Sequence, residues 1–340
     1  MTDAAVLELH EPLWSDFVRA APGALPFHEP AWASLLAECY GYRAFALAVM
    51  NGVGITAGLP VLEVPSLLGG KRWVSLPFTD HCAPLTNGGE PGLAQALDEA
   101  RQAAGISQLE VRAPLTGRDT YATGAGLLHV LDLAPDPNTV FRHFKPPVRR
   151  HVRNAERSGV SVHRGESAAD LTHTFYRLHL MTRRRQGIPV QPRRFFDLLW
   201  HRFLARGRGF VLLASVGDEA VAGAVFLTGN GTVIYKYGAS DPRALALRPN
   251  HAVFWAAIRW ACENGYRTLD FGRTDFGHDG LRAFKSGWGA REQSLVYATV
   301  ADKLPRRSAG HFGKVAKTFI QGSPQWVCRG AGELLYRYAA

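Results

Sequence analysis

The chain has 340 residues, 46% of them hydrophobic, and a net charge of +10 that comes mostly from arginine. This length favours a globular protein of two domains, and no apolar run reaches the roughly 18 residues that a membrane span needs, so the sequence predicts a cytoplasmic protein without a spanning helix. Four cysteines without a CxxC pair argue against a disulfide framework or a zinc site and predict buried free thiols.

An internal repeat organises the predicted elements. Residues 44–64 predict two strands joined at Asn51-Gly52, a dipeptide that favours a type I′ hairpin, and residues 210–227 repeat this plan with a turn at Gly217-Asp218. Each hairpin is followed by a strand, a helix and a strand, predicted at 72–78, 93–104 and 108–112 in the first copy and at 232–238, 252–264 and 268–271 in the second. Matching elements are offset by about 160 residues, which predicts two α/β (α+β) units, each a mixed sheet with helices on its faces.

Turn and breaker signals at 134–147 mark the predicted join between the copies. The predicted boundaries are therefore 1–135 for the first domain and 136–300 for the second, with a C-terminal extension at 301–340. The apolar residues of this extension predict an amphipathic helix that packs back on the body; they are Trp326, Leu334, Leu335 and Tyr338.

A basic helix is predicted to open the second domain. The segment KPPVRRHVRNAER, at 145–157, places arginines at helical spacings on one face, and these are Arg149, Arg150, Arg153 and Arg157. A second cluster around Arg184 follows. Arginine forks match phosphate geometry, so a polyanion such as RNA, a nucleotide-sugar diphosphate or an acidic lipid surface is one interpretation, and a solvated basic helix is the other.

Several motifs for other chemistries fail. The GxGxxA match at Gly52 continues as a strand where a dinucleotide fingerprint needs a helix. The chain has no GxSxG elbow and no Walker phosphate loop. Its thirteen histidines include no HExxH pair, so we predict no bound metal.

The stretch 269–290 predicts a strand that ends in a glycine-spaced, charged loop and continues into a short helix carrying Phe284 and Lys285. Such loops place polar groups at the rim of a sheet and often hold active sites. We predict that Asp279 caps the helix and so fixes the direction of Lys285. The alternative is an ordinary connection between a strand and a helix, with solvated charges.

Three short motifs, two in this stretch and one before it, resemble those of a known protein family. LDFGR at 269–273, GLxxFKxxWG at 280–289 and YKYGAS at 235–240 resemble the Fem-type aminoacyltransferases, which are built from two tandem GNAT-like acyltransferase domains. The resemblance covers roughly residues 25–300 and is closer in the second half. It implies an enzyme that moves an amino acid from its tRNA ester to an amine of a small metabolite or a cell-wall precursor.

Acyl transfer to an amine needs a positive charge or N–H donors near the oxyanion of the tetrahedral intermediate. The resemblance gives this catalytic role to Lys285 of the FK pair; the alternative is a surface lysine. It also places Asp80, in the segment SLPFTD, beside the acceptor amine, with a solvated turn aspartate as the equal alternative.

Four more residues complete the predicted substrate-binding set. Arg273 and Asp275 lie in the charged loop. Tyr235 and Tyr237 alternate in a strand and are therefore expected on one face, where they either line an acceptor groove or pack in the core.

The predicted donor is aminoacyl-tRNA, without a further cofactor. CoA-binding GNAT domains hold the pyrophosphate on N–H groups of a glycine-rich loop, whereas the loop at 248–253 has no glycine and Pro249 lacks an N–H, so CoA is disfavoured. The basic clusters suit the phosphates of tRNA. After Trp32 the chain lacks the lysine found in peptidoglycan-acting members, which puts a muramyl-peptide acceptor in doubt.

Two other functions remain open from the sequence. One is an N-acyltransferase that uses acyl-CoA or an acyl carrier protein. The other belongs to a different class, a non-catalytic protein that binds RNA or polysaccharide. The sequence does not define the oligomeric state.

Overall fold

A computed structural model describes residues 4–65, 70–87, 92–304 and 320–336. The chain forms two compact units: the first comprises residues 1–126, 294–308 and 337–340, and the second comprises 127–293 and 309–336. The second unit thus begins at Leu127 rather than at residue 136, and the segment after residue 300 is divided between the two units. No helix within the described ranges is long and apolar enough to cross a bilayer.

The strands, in chain order, are β1 (Ala4–Leu7), β2 (Arg43–Met50), β3 (Ile55–Pro65), β4 (Lys71–Val74), β5 (Leu85–Thr86), β6 (Gln108–Val111), β7 (Thr120–Asp132), β8 (Val160–Arg164), β9 (Gly209–Val216), β10 (Glu219–Gly229), β11 (Thr232–Ser240), β12 (Thr268–Thr274) and β13 (Arg291–Ala301). The α-helices are α1 (Pro12–Ala20), α2 (Pro30–Tyr40), α3 (Leu93–Ala103), α4 (Pro137–His143), α5 (Pro146–Arg157), α6 (Tyr176–Gln186), α7 (Arg193–Arg202), α8 (Pro249–Glu263), α9 (Asp279–Gly287) and α10 (Gln325–Leu335). A π-helical turn, Asp170–Phe175, leads into α6.

The first unit has the strand order β1-β2-β3-β4-β6-β13, with β5 beside β3. The pairing of β4 with β6 is parallel, and the other assigned pairs are antiparallel. Its core packs α3 on this sheet through residues such as Phe45, Trp73 and Leu97, which are almost completely buried. Consecutive residues are buried in the middle of β2 and of β3, so both faces of these strands are covered.

The second unit repeats this plan. Its strand order is β8-β9-β10-β11-β12-β7, the pairing of β11 with β12 is parallel, and α8 makes the crossover between them. The core lies between this sheet, α8 and α5, and includes Val148, Phe226, Phe254 and Trp288. These two units confirm the predicted mixed α/β fold with a repeated hairpin, strand, helix and strand.

The first predicted hairpin turn differs from the structure. The loop covers residues 51–54, and the Oδ1 atom of Asn51 accepts the N–H groups of Val53 and Gly54 at 2.9 and 3.0 Å. The asparagine therefore stabilises a longer loop through its side chain instead of forming a two-residue type I′ turn. The second turn has the predicted two residues, because Val216 pairs with Glu219 and Gly217 has a φ of 57°.

The C-terminal helix α10 packs on the second unit, as predicted. The Sγ atom of Cys328 donates to the carbonyl of Ile188 at 3.5 Å, and Gly332 lies against the carbonyl of Val190 so closely that a Cβ atom there would clash. The prediction for Trp326 is wrong, since its side chain is 73% exposed. The side chains of Leu334 and Leu335, and all of Tyr338, lie outside the described residues.

The cysteines are free thiols, as predicted. Cys82, Cys262 and Cys328 are buried, and Cys39 is partly exposed. Burial raises the pKa of all three buried thiols. They therefore stay protonated at neutral pH and act as packing groups.

Candidate active site

A bulge in β12 shapes the candidate site. Asp270 pairs with Val130 of β7 and Arg273 pairs with Leu128, so Phe271 and Gly272 together lie opposite the single residue His129. Gly272 has a φ of 70°, a left-handed conformation that favours glycine. The buried carboxylate of Asp270 accepts the N–H of Gly272 at 2.7 Å. The side chain of Asp270 thus stabilises the bulge.

Lys285 reaches this bulge from α9. Its ammonium donates to the carbonyl oxygens of Gly272 and Arg273, each at 2.8 Å, and the residue is only 2% exposed. The alternative of a surface lysine is therefore wrong. Two carbonyl oxygens fix the position of a buried cation at the end of β12, where the sheet gives way to the charged loop.

Aromatic packing orients α9. Phe284 contacts Phe254 of α8 with ring centroids 5.4 Å apart, and Trp288, which is fully buried, lies 5.0 Å from Phe144 in the same measure. The predicted cap is wrong: Asp279 is the first helical residue, His278 occupies the capping position, and no side-chain cap bond forms. The direction of Lys285 is thus fixed by aromatic packing on the helix and by the two carbonyl oxygens.

A buried histidine neighbours the lysine. His129 lies with Nδ1 3.5 Å from the hydroxyl oxygen of Thr274 and Nε2 3.3 Å from a carboxylate oxygen of Glu292. Burial, followed by the charge of Lys285, lowers the pKa of His129, and the Glu292 carboxylate opposes this shift. Glu292 is also paired with Arg282 at 2.6 and 2.7 Å. At neutral pH His129 is therefore uncharged, and the positive charge at the bulge is that of Lys285.

Sequence reasoning missed His129. It lies in β7, far from the motif in sequence, and only the register of β7 against β12 brings it to the bulge. An unusual polar residue among the apolar positions of a strand, in LLHVLD, was the one available signal.

Arg273 and Asp275 form an ion pair within the predicted loop. The Nε atom of Arg273 donates to Oδ1 of Asp275 at 2.6 Å, and both side chains are partly exposed. Lys285 thus contacts the backbone of Arg273, whose side chain contacts Asp275. The opposite charges of the two loop side chains offset each other. Their predicted contact with substrate remains a prediction.

The two tyrosines lie on opposite faces of the sheet, which corrects the prediction of a shared face. Tyr235 pairs with Phe226 and Tyr237 with Val225, so Lys236 is the extra residue of a bulge that reverses the alternation. Tyr235 packs on Phe254, with centroids 4.8 Å apart. Its hydroxyl lies over Gly238, where a Cβ atom would clash.

Tyr237 is buried on the opposite face of β11. Tyr237 is 8% exposed and contacts His179, Phe195 and Phe196 at centroid distances of 5.6 to 5.7 Å. In this structure it is a core aromatic, so the two tyrosines do not form one groove wall.

β11 and β12 separate beside the bulges. Their parallel pairing ends at Ile234 and Asp270, although β11 continues to Ser240 and β12 to Thr274. Both strands deviate after this point, β11 at Lys236 and β12 at Gly272. On β12 the carbonyl groups of Gly272 and Arg273, which lie beyond this point, hold the ammonium of Lys285.

The predicted basic helix is α5, and its four arginines are here called the arginine face: Arg149, Arg150, Arg153 and Arg157. Val148, Val152 and Ala155 form the buried side of the helix, whereas three of the four arginines are exposed and Arg149 is half-buried. Among the described residues, no carboxylate lies within ion-pair distance of the arginine face. The helix therefore presents four cations without local neutralisation.

Arg184 has a different environment. Its Nε atom donates to the carbonyl of Ser323, at 2.5 Å, in the segment that precedes α10. This bond ties α6 to the C-terminal segment and engages part of the guanidinium that was predicted to bind phosphate.

The start of α8 leaves few backbone N–H groups for a ligand. Arg248 precedes the helix with a φ of 62°, Pro249 follows, and the N–H groups of His251 and Ala252 point to the carbonyl of Arg248 at 2.9 and 3.4 Å. Three of the first four residues therefore offer no N–H to a ligand, or offer one already used within the turn.

Asp80 lies in the first unit, at the end of a strained loop. Leu76 and Phe78 have left-handed φ values of 63° and 61°, which are uncommon for residues with a Cβ atom. The hydroxyl of Tyr297 donates to the backbone carbonyl of Asp80 at 2.6 Å. The position of Asp80 is thus fixed through its backbone, and its side chain is partly exposed.

Replacing Gly272 with alanine tests the bulge. We expect Gly272→Ala to destabilise the second unit by about 1–2 kcal/mol, because a residue with a Cβ atom is strained in the left-handed region. Urea unfolding measures the change. Gly280→Ala is the matched control, since nothing lies within 4 Å of a Cβ atom at Gly280 and its φ is not left-handed. Equal stability of Gly272→Ala and the parent would contradict the described bulge.

Comparison with known proteins identifies a known domain in the second half of the chain. Residues 142–286 match the family described as an acetyltransferase (GNAT) domain. A stretch of 75 residues is 36% identical to the lipid II:glycine glycyltransferase of Staphylococcus aureus. This match covers 20% of the present chain and spans 18% of the length of that relative.

Solved structures share the whole architecture. The crystal structure of FemX has a TM-score of 0.67 at 16% identity and covers 87% of this chain and 96% of its own. The C-terminal domain of a putative lysylphosphatidylglycerol synthetase from Agrobacterium fabrum has a TM-score of 0.56 at 14% identity, with coverages of 84% and 92%.

A third structure, a tandem GNAT protein from the clavulanic acid biosynthesis pathway, has a TM-score of 0.51 at 13% identity and covers 90% of this chain and all of its own, 100%. At these identities the likeness shows the fold, which is that of GNAT-like domains in tandem. Together with the signature at 269–289, these matches show a GNAT domain at residues 142–286 and a similarity in sequence and fold to the Fem-type acyltransferases.

Proposed function

We propose that the protein is an aminoacyltransferase that moves an amino acid from aminoacyl-tRNA to the amine of a small metabolite or a cell-wall precursor. The observation that carries the proposal is the buried ammonium of Lys285, held by the carbonyl oxygens of Gly272 and Arg273 at 2.8 Å beside the separated strands. A fixed cation in a site shielded from water stabilises a developing oxyanion more strongly than a solvated lysine does.

The proposed step is aminolysis of an ester. The acceptor nitrogen attacks the ester carbonyl, a C–N bond forms, and the C–O bond to the terminal ribose of the tRNA breaks. The amine loses one proton and the departing ribose oxygen gains one. The reaction therefore needs no oxidant and no nucleoside triphosphate. Lys285 supplies positive charge to the carbonyl oxygen in the tetrahedral intermediate, while its two carbonyl partners keep the ammonium in position.

His129 has a supporting place in this scheme. Because its pKa is lowered by burial and by Lys285, it is neutral at physiological pH and adds no second cation. A neutral imidazole keeps the charge at the bulge on one atom, the Nζ of Lys285. The role follows from electrostatics and needs no contact between His129 and the substrate.

The arginine face supports an RNA donor. It presents four guanidinium groups without carboxylate partners among the described residues, and such groups bind phosphates with little dependence on base sequence. Arg184 is a weaker candidate for the same role because its Nε is engaged by Ser323.

Asp80 is the proposed contact for the acceptor amine. Its carboxylate belongs to a strained, buried loop, and strain of this kind is retained where the surrounding structure fixes a functional geometry. The glycyltransferase similarity favours a cell-wall precursor. Against a muramyl peptide stands the segment after Trp32, Ala33–Glu38, which contains no lysine.

A panel of ligands tests this choice through thermal stability. An acceptor-stem minihelix with a non-hydrolysable 3′-aminoacyl amide should raise the melting temperature, since a ligand that binds only the native state stabilises it. Acetyl-CoA and a UDP-sugar are the comparison ligands. Stabilisation by the UDP-sugar alone would instead favour a non-catalytic carbohydrate-binding protein.

A CoA-dependent N-acyltransferase is the second candidate, and the match to an acetyltransferase (GNAT) domain favours it. The start of α8 argues against it, since Pro249 has no N–H and the N–H groups of His251 and Ala252 are used by Arg248. We expect calorimetry to detect no tight binding of acetyl-CoA, with the minihelix as positive control. A dissociation constant in the low micromolar range would put CoA ahead of tRNA as the donor.

A further inference from the structure

Two histidines join α5 to α8 in the second unit. The Nδ1 atom of His151 lies 3.3 Å from the Nε2 atom of His251, and the ring centroids are 4.7 Å apart at an interplanar angle of 72°. A hydrogen bond between two imidazoles needs one ring nitrogen that carries a proton and one that does not. The pair therefore keeps its bond in the neutral state and after uptake of one proton, and loses it when both rings are fully protonated.

Aromatic rings of Phe284 in α9 and of Trp288, the residue directly after α9, cover one side of this pair. His251, which is 9% exposed, stacks on Trp288 with centroids 5.7 Å apart and meets the edge of Phe284 at 5.3 Å. The backbone N–H of Lys145, just before α5, donates to the carbonyl of Gly287 in α9 at 2.9 Å. The pair thus lies where the helix of the arginine face meets the helix that carries the catalytic lysine.

The charges of two arginines act on the pair. The pKa of His251 is lowered to about 4, first by burial, then by His151 and Arg248. The pKa of His151 is lowered by burial, then by the charges of Arg248 and Arg150. These arginines belong to the start of α8 and to α5, while α9 and the residue after it contribute the rings of Phe284 and Trp288. At neutral pH both histidines are therefore uncharged.

We propose that the His151–His251 pair couples RNA binding on the arginine face to the uptake of one proton. The inference rests on the RNA donor proposed above and concerns the regulation of that site. Phosphates that bind Arg150 offset its charge, which removes one cause of the unfavourable protonation of His151. The singly protonated pair then forms a charge-assisted hydrogen bond and adds positive charge towards the bound phosphates.

The sign of the pH dependence follows from linkage. RNA raises the pKa of the pair, so the complex holds more protons than the free protein between the two pKa values. Affinity therefore increases as the pH falls through the pKa of the complex, and it levels off below the pKa of the free pair. One proton limits the change to about tenfold for each pH unit.

The experiment measures binding of an acceptor-stem minihelix that carries no amino acid. Binding is followed by fluorescence anisotropy from pH 5.5 to 7.5 at constant ionic strength. Phosphodiesters do not titrate in this range. We expect about three- to tenfold tighter binding at pH 5.5 than at pH 7.5 for the parent protein. His151→Gln, at a half-buried position, should bind RNA with almost no pH dependence. His201→Gln, an exposed histidine of α7, is the matched control and should retain the parent slope.

Histidine ring NMR gives a second measurement, in which the titration itself is followed in the parent protein. The resonances absent from the spectrum of His151→Gln identify that ring, and its pKa should rise when RNA is added. Salt-sensitive RNA binding without pH dependence, or an unchanged slope in His151→Gln, would overturn the coupling and leave the RNA donor intact. Absence of RNA binding at every pH would overturn both.

Discussion

Lys285→Met should lower the rate of acyl transfer by about a hundredfold or more, while donor binding changes little. Methionine keeps the length of the side chain and removes the charge, so it removes a contribution that is made mainly in the transition state. Loss of one donor to an oxyanion typically costs about 3 kcal/mol of transition-state stabilisation. Single-turnover transfer with saturating donor and acceptor measures the rate, and anisotropy measures donor binding.

The same variant should also be less stable, because the lysine is buried. Methionine leaves the carbonyl oxygens of Gly272 and Arg273 without their ammonium partner, and an unsatisfied buried acceptor costs about 1–3 kcal/mol. A control must therefore lose stability without losing the charge. Leu199→Ala removes a fully buried side chain from α7, which takes no part in the proposed site, and when folded it should transfer at a rate near that of the parent.

The comparison separates two accounts of the lysine. A large loss of rate in Lys285→Met, beside a small loss in Leu199→Ala at similar stability, supports a role in catalysis. Similar rates in both variants would mean that Lys285 only stabilises the bulge of β12.

Replacing the arginine face by glutamine should weaken RNA binding by up to about a thousandfold at 0.1 M salt. Each guanidinium that neutralises a phosphate contributes about 0.9 to the slope of log affinity against log salt concentration, so four contacts contribute about 3 to 4. The fold should survive, since three of the four side chains are exposed and the buried side of α5 is unchanged. Anisotropy titrations across a salt series measure both quantities.

Net charge alone would also weaken RNA binding, so the control removes the same charge elsewhere. Four exposed arginines scattered over the surface, Arg19, Arg118, Arg206 and Arg329, are changed together to glutamine. This variant should keep most of the salt slope of the parent. Equal slopes for the parent and the arginine-face variant would remove α5 from the RNA-binding surface.

The sequence predicted the architecture well because hydrophobic period and turn residues determine it. The two hairpins, the crossover helices and the strand that begins at Thr268 follow from alternating and helical patterns that local residues encode. The face of α5 was predictable for the same reason, since Val148, Val152 and Ala155 follow helical spacing.

The bulges were not predictable from these patterns. A period of two placed Tyr235 and Tyr237 on one face, and the single extra residue Lys236 reversed that assignment. The bulge at Gly272 likewise made the environment of Lys285 unpredictable, because the carbonyl oxygen of Gly272 accepts a hydrogen bond from Nζ of the buried lysine. The sequence motif identified Lys285 as a candidate residue but did not predict that its side chain is buried.

The contacts between distant segments were also beyond the sequence pattern. His129 meets the bulge through the register of β7, and His151 meets His251 one hundred residues later in the chain. Neither has a local spacing that marks it. Pairing across a sheet and packing between helices depend on the whole fold.

The most direct test of the proposed function follows label from donor to acceptor. The protein is incubated with tRNAs charged with radiolabelled amino acids, or with labelled acetyl-CoA, and with lipid II or a set of soluble primary amines. Mild base then cleaves the tRNA ester but leaves an amide intact. We predict base-stable label on an acceptor from aminoacyl-tRNA and none from acetyl-CoA. Base-stable label from acetyl-CoA alone would contradict the proposal and identify a CoA-dependent N-acyltransferase.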